Sequence, residues 1–137
     1  MERQEPLTYI TYILYITFML WEIIFHAEFY DWFFEQEDAV QESIAMVLDI
    51  LEEQGVLLGR PYVDTIKGSS FPNMKELRVQ HAGEPYRILF AFDPKRQAVL
   101  LLGGNKSGDK RWYEKNIPVA ERRFREYLAE TKGGELI

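Results

Sequence analysis

No cysteine occurs among the 137 residues, which excludes disulfides, thiolate catalysis and any zinc site built on sulfur. That suits a reducing compartment such as the cytoplasm. Histidine is almost as scarce. His26 and His81 stand too far apart in sequence to suggest a metal-binding pair, and neither a metal nor another cofactor is expected. Proline and glycine are few (6 and 9), no repeat or low-complexity tract interrupts the chain, and no linker is long enough to separate domains. With 47% apolar residues, the chain can build a single packed core of ordinary size. The P-loop pattern GxxxxGK(S/T) is absent too, which removes that route to phosphate binding.

Bases are all but missing from the first 56 residues. Residues 1–56 hold 12 acids against one base, Arg3, a net of −11, whereas residues 57–137 hold 15 bases against 10 acids, a net of +5. The overall charge of −6 and the pI near 5.0 therefore average two unlike halves and weigh little against a polyanionic partner.

Charge of either sign is lacking from Pro6 to Trp21, PLTYITYILYITFMLW. That run is short for a membrane span of about 20 residues, and the preceding MERQE is net negative, unlike the start of a secretory signal. Residues 1–20 read as an N-terminal extension: an extra strand or helix packed on the domain, a weak membrane anchor, or a leader made by an early start codon. The domain itself is expected over 21–137.

Periodicity gives an outline. Trp21–Phe25 reads as a strand and Glu28–Phe34 as a short aromatic turn or helix. From Asp38, the residues Val40, Ile44, Val47, Leu48 and Leu51 make one helical stripe that Gly55 can cap. After a loop over 59–73, with a short strand at Tyr62–Ile66, three strands follow at Lys75–Gln80, Tyr86–Asp93 and Gln97–Leu102. Their short connections make them antiparallel neighbours. A last helix is expected from about Pro118 to Thr131, with Gly133-Gly134 stopping it. The fold class is α+β, a mainly antiparallel sheet with helices on one face and the other face at least partly open.

Strand alternation sorts the hairpin residues: Leu77 and Val79 point one way, and Glu76, Arg78 and Gln80 the other. Tyr86, Ile88, Phe90 and Phe92 share a face, with Arg87 opposite. If Gln80 pairs with Pro85, Arg78 lies directly across from Arg87, an unfavourable pair for a sheet left alone. An anion between them would turn repulsion into binding; alternatively, Glu76 neutralises Arg78 and Arg87 lies in solvent. Behind the last strand, QAVLLLGGNKSGDKRWY crowds cations beside rings, as nucleic-acid binding requires. Gly103-Gly104 gives close backbone approach, and Asn105, Lys106, Lys110 and Arg111 supply amides and charge. Trp112 is expected to pack on the terminal helix. Tyr113, beside two cations, can donate or yield a proton. These groups suit RNA cleavage, in which the ribose 2′-oxygen attacks the neighbouring phosphate. The protein then has to orient that oxygen, move two protons and stabilise a dianionic phosphorane.

The order of strand, helical segment, ELRV hairpin, YRILFAF strand, VLLLGGNK strand and PVAERRFREYL helix resembles the RelE/ParE toxin superfamily, closest to the phage-derived Gp49-like branch that includes HigB toxins. The resemblance covers roughly 21–133 and is most specific at Leu77-Arg78 to Tyr86-Arg87 and at Gly104-Asn105-Lys106 through Tyr113. It implies a RelE-like sheet and the toxin of a type II toxin–antitoxin pair, a ribosome-dependent mRNA endoribonuclease. Its implied partners are mRNA on the ribosome and a cognate antitoxin of the helix-turn-helix kind that covers the basic face, with no membrane partner required. By position, Arg87 matches the phosphate-stabilising arginine, Lys110 or Arg111 the basic residue after the last strand, and Tyr113 the tyrosine that stacks on or transfers protons near the scissile nucleotide. Arg78, Asn105, Lys106 and Arg111 are then RNA-binding. The chain departs from RelE-type toxins where they carry two lysines. Lys75 falls on the core side, and Glu76 fills a slot elsewhere basic, so either Glu76 is the base or activity is weakened. His81, in the HAGEP turn, stands either in place of a histidine used by some HigB enzymes or simply in solvent. The alternatives are a ParE-like gyrase inhibitor without chemistry of its own, and a decayed module that retains only antitoxin binding.

Overall fold

The computed structural model describes residues 19–135, so the expectations for the apolar extension fall, but for Met19 and Leu20, outside the described residues. Among the described residues, no helix is long and apolar enough to cross a membrane. Strand β1 (Glu22–Phe25) leads into helices α1 (Ala27–Glu35) and α2 (Asp38–Gln54), then a 3-10 turn at Gly55–Leu57. Strands β2 (Val63–Thr65), β3 (Met74–His81), β4 (Glu84–Phe92) and β5 (Gln97–Asn105) follow, and helix α3 (Trp112–Glu135) closes the chain. The sheet order is β1-β5-β4-β3-β2. All neighbours are antiparallel except β1 and β5, which run parallel from Glu22 opposite Gln97 to Phe25 opposite Leu100.

Each face of the sheet carries its own core. Phe29, Phe33, Val40, Ile44, Val47 and Leu51 of α1 and α2 bury Leu77, Val79, Ile88, Phe90 and Leu100. Trp112, Ala120 and Phe124 of α3 cover Met74, Leu89, Ala91, Val99 and Leu101 on the other side. The second face is covered only in part, since Gln80 on it is exposed and Arg78 half-buried, as expected of a partly open face. The apolar run of β4 and β5 has no polar alternation because both faces are buried.

Gly55 caps α2 at φ 53°. It also has no room for a side chain, since a Cβ there would lie 2.0 Å from the Trp21 ring. Helix α3 begins six residues before Pro118, so that proline sits inside it and not in its first turn. The start signal is Asp109, whose carboxylate accepts from the Arg111 amide at 3.0 Å, followed by Glu114 in the first turn. Nor does Gly133-Gly134 end the helix, which continues to Glu135. A bulge lies between Leu89 and Phe90, which oppose Leu102 and Leu100 and leave Leu101 as the extra residue. The Leu101 carbonyl is satisfied by Arg123 Nη1 at 2.8 Å, and Arg123 also pairs with Glu28 of α1. At the other end of α3, the Tyr127 hydroxyl donates to Asp93 at 2.8 Å. Burial and that carboxylate push its pKa up to about 12.

His26 caps α1, its Nδ1 accepting from the Glu28 amide at 3.1 Å. Burial first, then the Arg123 charge, lowers its pKa below 6.5, against the pull of Glu28, Glu126 and Glu130. The folded state thus binds this proton less readily than the unfolded chain. Its contribution is complete above pH 6.5 and is lost as pH falls through 6.5 and then the folded value. Melting followed between about pH 7.5 and 5 should show a steeper fall in Tm for the wild type than for His26→Asn, which caps without titrating. Identical slopes would mean the cap is not what titrates.

Candidate functional site

Arg78 and Arg87 face each other across β3 and β4, with Gln80 opposite Pro85 as the hairpin alternation requires. Both lie on the sheet face that α3 covers. Glu76 stands two residues before Arg78 on the same face. Its Oε1 is 3.1 Å from Arg78 Nη1 and 4.0 Å from Arg87 Nε. The carboxylate offsets the repulsion of the paired guanidinium groups. Arg87 does not lie in solvent: it and Glu76 are each only 4% exposed. Glu76 Oε2 and Arg87 Nε are both sealed from solvent and make no bond of ordinary geometry, and the Tyr113 hydroxyl lies near enough to Glu76 and Arg87 to interact with each. A buried polar atom left unpaired costs about 1–3 kcal/mol, so the placing of the Tyr113 phenol against this carboxylate and guanidinium matters to the cluster.

Tyr113, in the first turn of α3, completes the cluster. Its pKa is raised, first by burial and then by the Glu76 carboxylate, while Arg87 acts in the opposite sense. Of the two roles open to this phenol, donating or yielding a proton, burial and the carboxylate favour Tyr113 as a proton donor. Lys106 reaches it from the loop after β5, with Nζ 6.0 Å from the ring centroid.

Two grooves meet at this cluster. One, of about 460 Å³, is lined by Arg60, Pro61, Arg78, Gln80, Pro85 and Arg87. The other, of about 300 Å³, is lined by Thr65, Ile66, Lys67, Glu76, Tyr113 and Ile117. Arg87 thus opens on the first and Glu76 on the second. Sequence reasoning missed Arg60 and Lys67, which come from the loops flanking β2. The one available signal was the four-residue spacing of Arg60 and Asp64, which pair at 2.6 Å. That bond and the Thr65 amide hold the Asp64 carboxyl below its usual range.

The segment after β5 is not gathered into the cluster as a whole. Arg111 faces solvent and pairs with Glu114 at 2.9 Å, and Lys110 is exposed in the preceding turn. Asn105 is exposed at the end of β5, where its Oδ1 accepts from the Ser107 amide at 3.0 Å. Gly103 and Gly104 belong to β5, not to a phosphate-binding loop. A Cβ on Gly103 would come within 2.4 Å of Trp32, and one on Gly104 within 2.8 Å of Trp112, so these glycines admit indole rings. Trp112 packs in the α3 core as expected. His81 ends β3 rather than sitting in a turn, and its Nδ1 meets the Ser43 hydroxyl of α2 at 2.8 Å, on the face away from Arg87. Lys75 also lies on that face, at its edge, and donates to Thr65 Oγ1 at 2.9 Å.

Residues 31–125 match the family model described as phage-derived protein Gp49-like. HigB3 of Mycobacterium tuberculosis (strain H37Rv), named a candidate toxin, is 53% identical over 104 residues, which cover 75% of this chain and 90% of that protein. HigB2 of the same organism, also named a candidate toxin, is 48% identical over 91 residues, 65% of this chain and 45% of its own length. Among solved structures, a mutant of Escherichia coli toxin RelE in the free state has a TM-score of 0.53 and 12% identity, and the match covers 70% of this chain and 94% of that one. That last likeness concerns the fold alone.

Proposed function

The chain belongs to the phage-derived Gp49-like family, in the HigB branch of the RelE/ParE superfamily, and on that premise we propose that it is the toxin of a type II toxin–antitoxin pair and cleaves mRNA on the ribosome. The observation that carries the chemistry is the cluster of Glu76, Arg78 and Arg87 with a protonated phenol, Tyr113, at the edges of the two grooves. A ribose 2′-hydroxyl needs an acceptor and a phosphate oxygen needs donors, and a carboxylate in one groove wall and two guanidinium groups in the other are groups of those kinds.

The steps follow from those roles. Glu76 takes the 2′-hydroxyl proton as the oxygen attacks phosphorus. Arg87, with Arg78 beside it, holds the charge that develops on the phosphorane oxygens. Tyr113 gives its proton to the departing 5′-oxygen, which leaves a 2′,3′-cyclic phosphate and a free 5′-hydroxyl. Asn105, Lys106, Lys110 and Arg111 are exposed or at the rim, and there they contact the RNA backbone. The ribosome supplies the rigid substrate alignment that so small a site lacks. Residues 21–137 are the toxin domain in this reading, working in the cytoplasm, and a helix-turn-helix antitoxin covers the cationic groove.

The test is induction of the wild type and of an Arg87→Ala, Tyr113→Phe variant, with growth and mRNA 5′ ends followed together. Wild-type arrest with new 5′ ends, both lost in the variant, is the expected result. Equal arrest and cleavage would reject the assigned site. Inhibition of supercoiling without RNA cleavage would decide for a ParE-like gyrase inhibitor.

A further inference from the structure

Tyr113, Ile117 and Glu121 are spaced four apart on α3 and so form one stripe along the helix. The first two wall the smaller groove opposite Thr65, Ile66 and Lys67. Glu121, one turn further on, reaches the loop that joins β2 to β3. Its Oε2 accepts from the Ser69 hydroxyl at 2.9 Å, the Ser70 amide at 2.6 Å and the Ser70 hydroxyl at 2.7 Å. The next residue, Phe71, lies edge-on to Phe124 of α3 at 5.2 Å. Helix and loop, the two walls of one groove, are therefore fastened together at this end. Between the fastening and Lys67 stands Gly68 at φ +86°, a backbone conformation that other residues avoid and a point where the loop would otherwise swing. Lys67 itself is exposed, and its ammonium makes no hydrogen bond or ion pair among the described residues.

We propose that Glu121 is a positioning residue for RNA: by clamping Ser69 and Ser70 to α3 it sets Lys67 across the groove from Tyr113, where the Lys67 ammonium holds a phosphate of the bound strand. This rests on the ribonuclease reading above. Without the clamp the loop keeps its freedom until RNA binds, and binding then bears the cost of ordering it. The chemistry at Glu76 and Arg87 is untouched, so the effect falls on KM and not on kcat.

The experiment is cleavage of a short mRNA on programmed ribosomes by wild type, Glu121→Ala, Lys67→Ala, the double variant, Glu121→Gln and Arg87→Ala, each checked for melting. Either alanine variant should raise KM about tenfold, the loss of one charge-assisted contact, with kcat within about twofold. The double variant should be no worse than the weaker single one, since both remove the same contact. Glu121→Gln, which keeps an acceptor oxygen, should restore KM. Should Glu121→Ala fail to fold, Ser70→Ala carries the same expectation. Additive effects of Glu121 and Lys67, or a lower Tm with KM unchanged, would overturn the clamp while Arg87→Ala still abolished cleavage. A wild type that cleaves nothing, or cleavage indifferent to Arg87, would instead overturn the ribonuclease reading and the clamp with it.

Discussion

Glu76→Gln is expected to lower RNA cleavage about 10²–10⁴-fold, the range set by loss of a general base, with the fold retained. Glutamine keeps the shape and one acceptor oxygen but cannot take the 2′-hydroxyl proton. A second consequence comes from the pairing across β3 and β4. Arg78 and Arg87 sit directly opposite each other, and Glu76 is the carboxylate within 4.0 Å of both. With that charge gone, the two guanidinium groups repel through a partly dry interior, and stability should drop by about 1–3 kcal/mol. Salt screens the side of the pair that reaches solvent, so some of the loss should return at high ionic strength. Single-turnover cleavage and melting at low and high salt measure both effects. Cleavage at the wild-type rate would remove Glu76 from the mechanism, whatever the melting shows.

Gly103→Val is expected to cost about 1–3 kcal/mol, the usual penalty of overpacking, or roughly 3–10 °C in Tm for a domain of this length. The physical reason is contact: the first carbon of any side chain at Gly103 would lie 2.4 Å from the six-membered ring of Trp32. That indole packs against the α1 and α2 core, so it cannot move without opening a void beside Phe29. Melting should therefore fall together with a shift in tryptophan emission, while folded protein still cleaves RNA. If Tm and emission stayed put and cleavage fell, Gly103 would be approaching a phosphate after all.

The sequence made the hairpin legible because a strand has a period of two. Placing Gln80 against Pro85 fixes every partner from His81 to Met74, including the opposed arginines. The α2 stripe and its Gly55 cap were legible for the same kind of reason, a local period with a local stop. What stayed hidden depends on distance across the fold. Nothing in GGNKSGDKRWY says that two indoles, one from α1 and one from α3, fill the space left by the glycines. Nothing says that Asp109 and Glu114 occupy Lys115 and Arg111. Pro118 misled because proline favours a first turn, whereas here six helical residues precede it. Tyr113 read as a companion of cations by sequence proximity. Its strongest electrostatic neighbour, Glu76, lies 37 residues away in sequence and reaches it only through the packing of α3 on the sheet.

The parallel pairing of β1 with β5 has a consequence for how the chain is made. Glu22 meets Gln97, so about 75 further residues must be translated before the partner exists, some 4–15 seconds at ordinary elongation rates. The β3–β4–β5 meander can assemble from near neighbours as it emerges. Its apolar outer strand then waits with one edge open until β1, translated seconds earlier, docks on it. Nascent chains should therefore be captured by chaperones through Trp21–Phe25 and Val99–Leu102 until that single join is made.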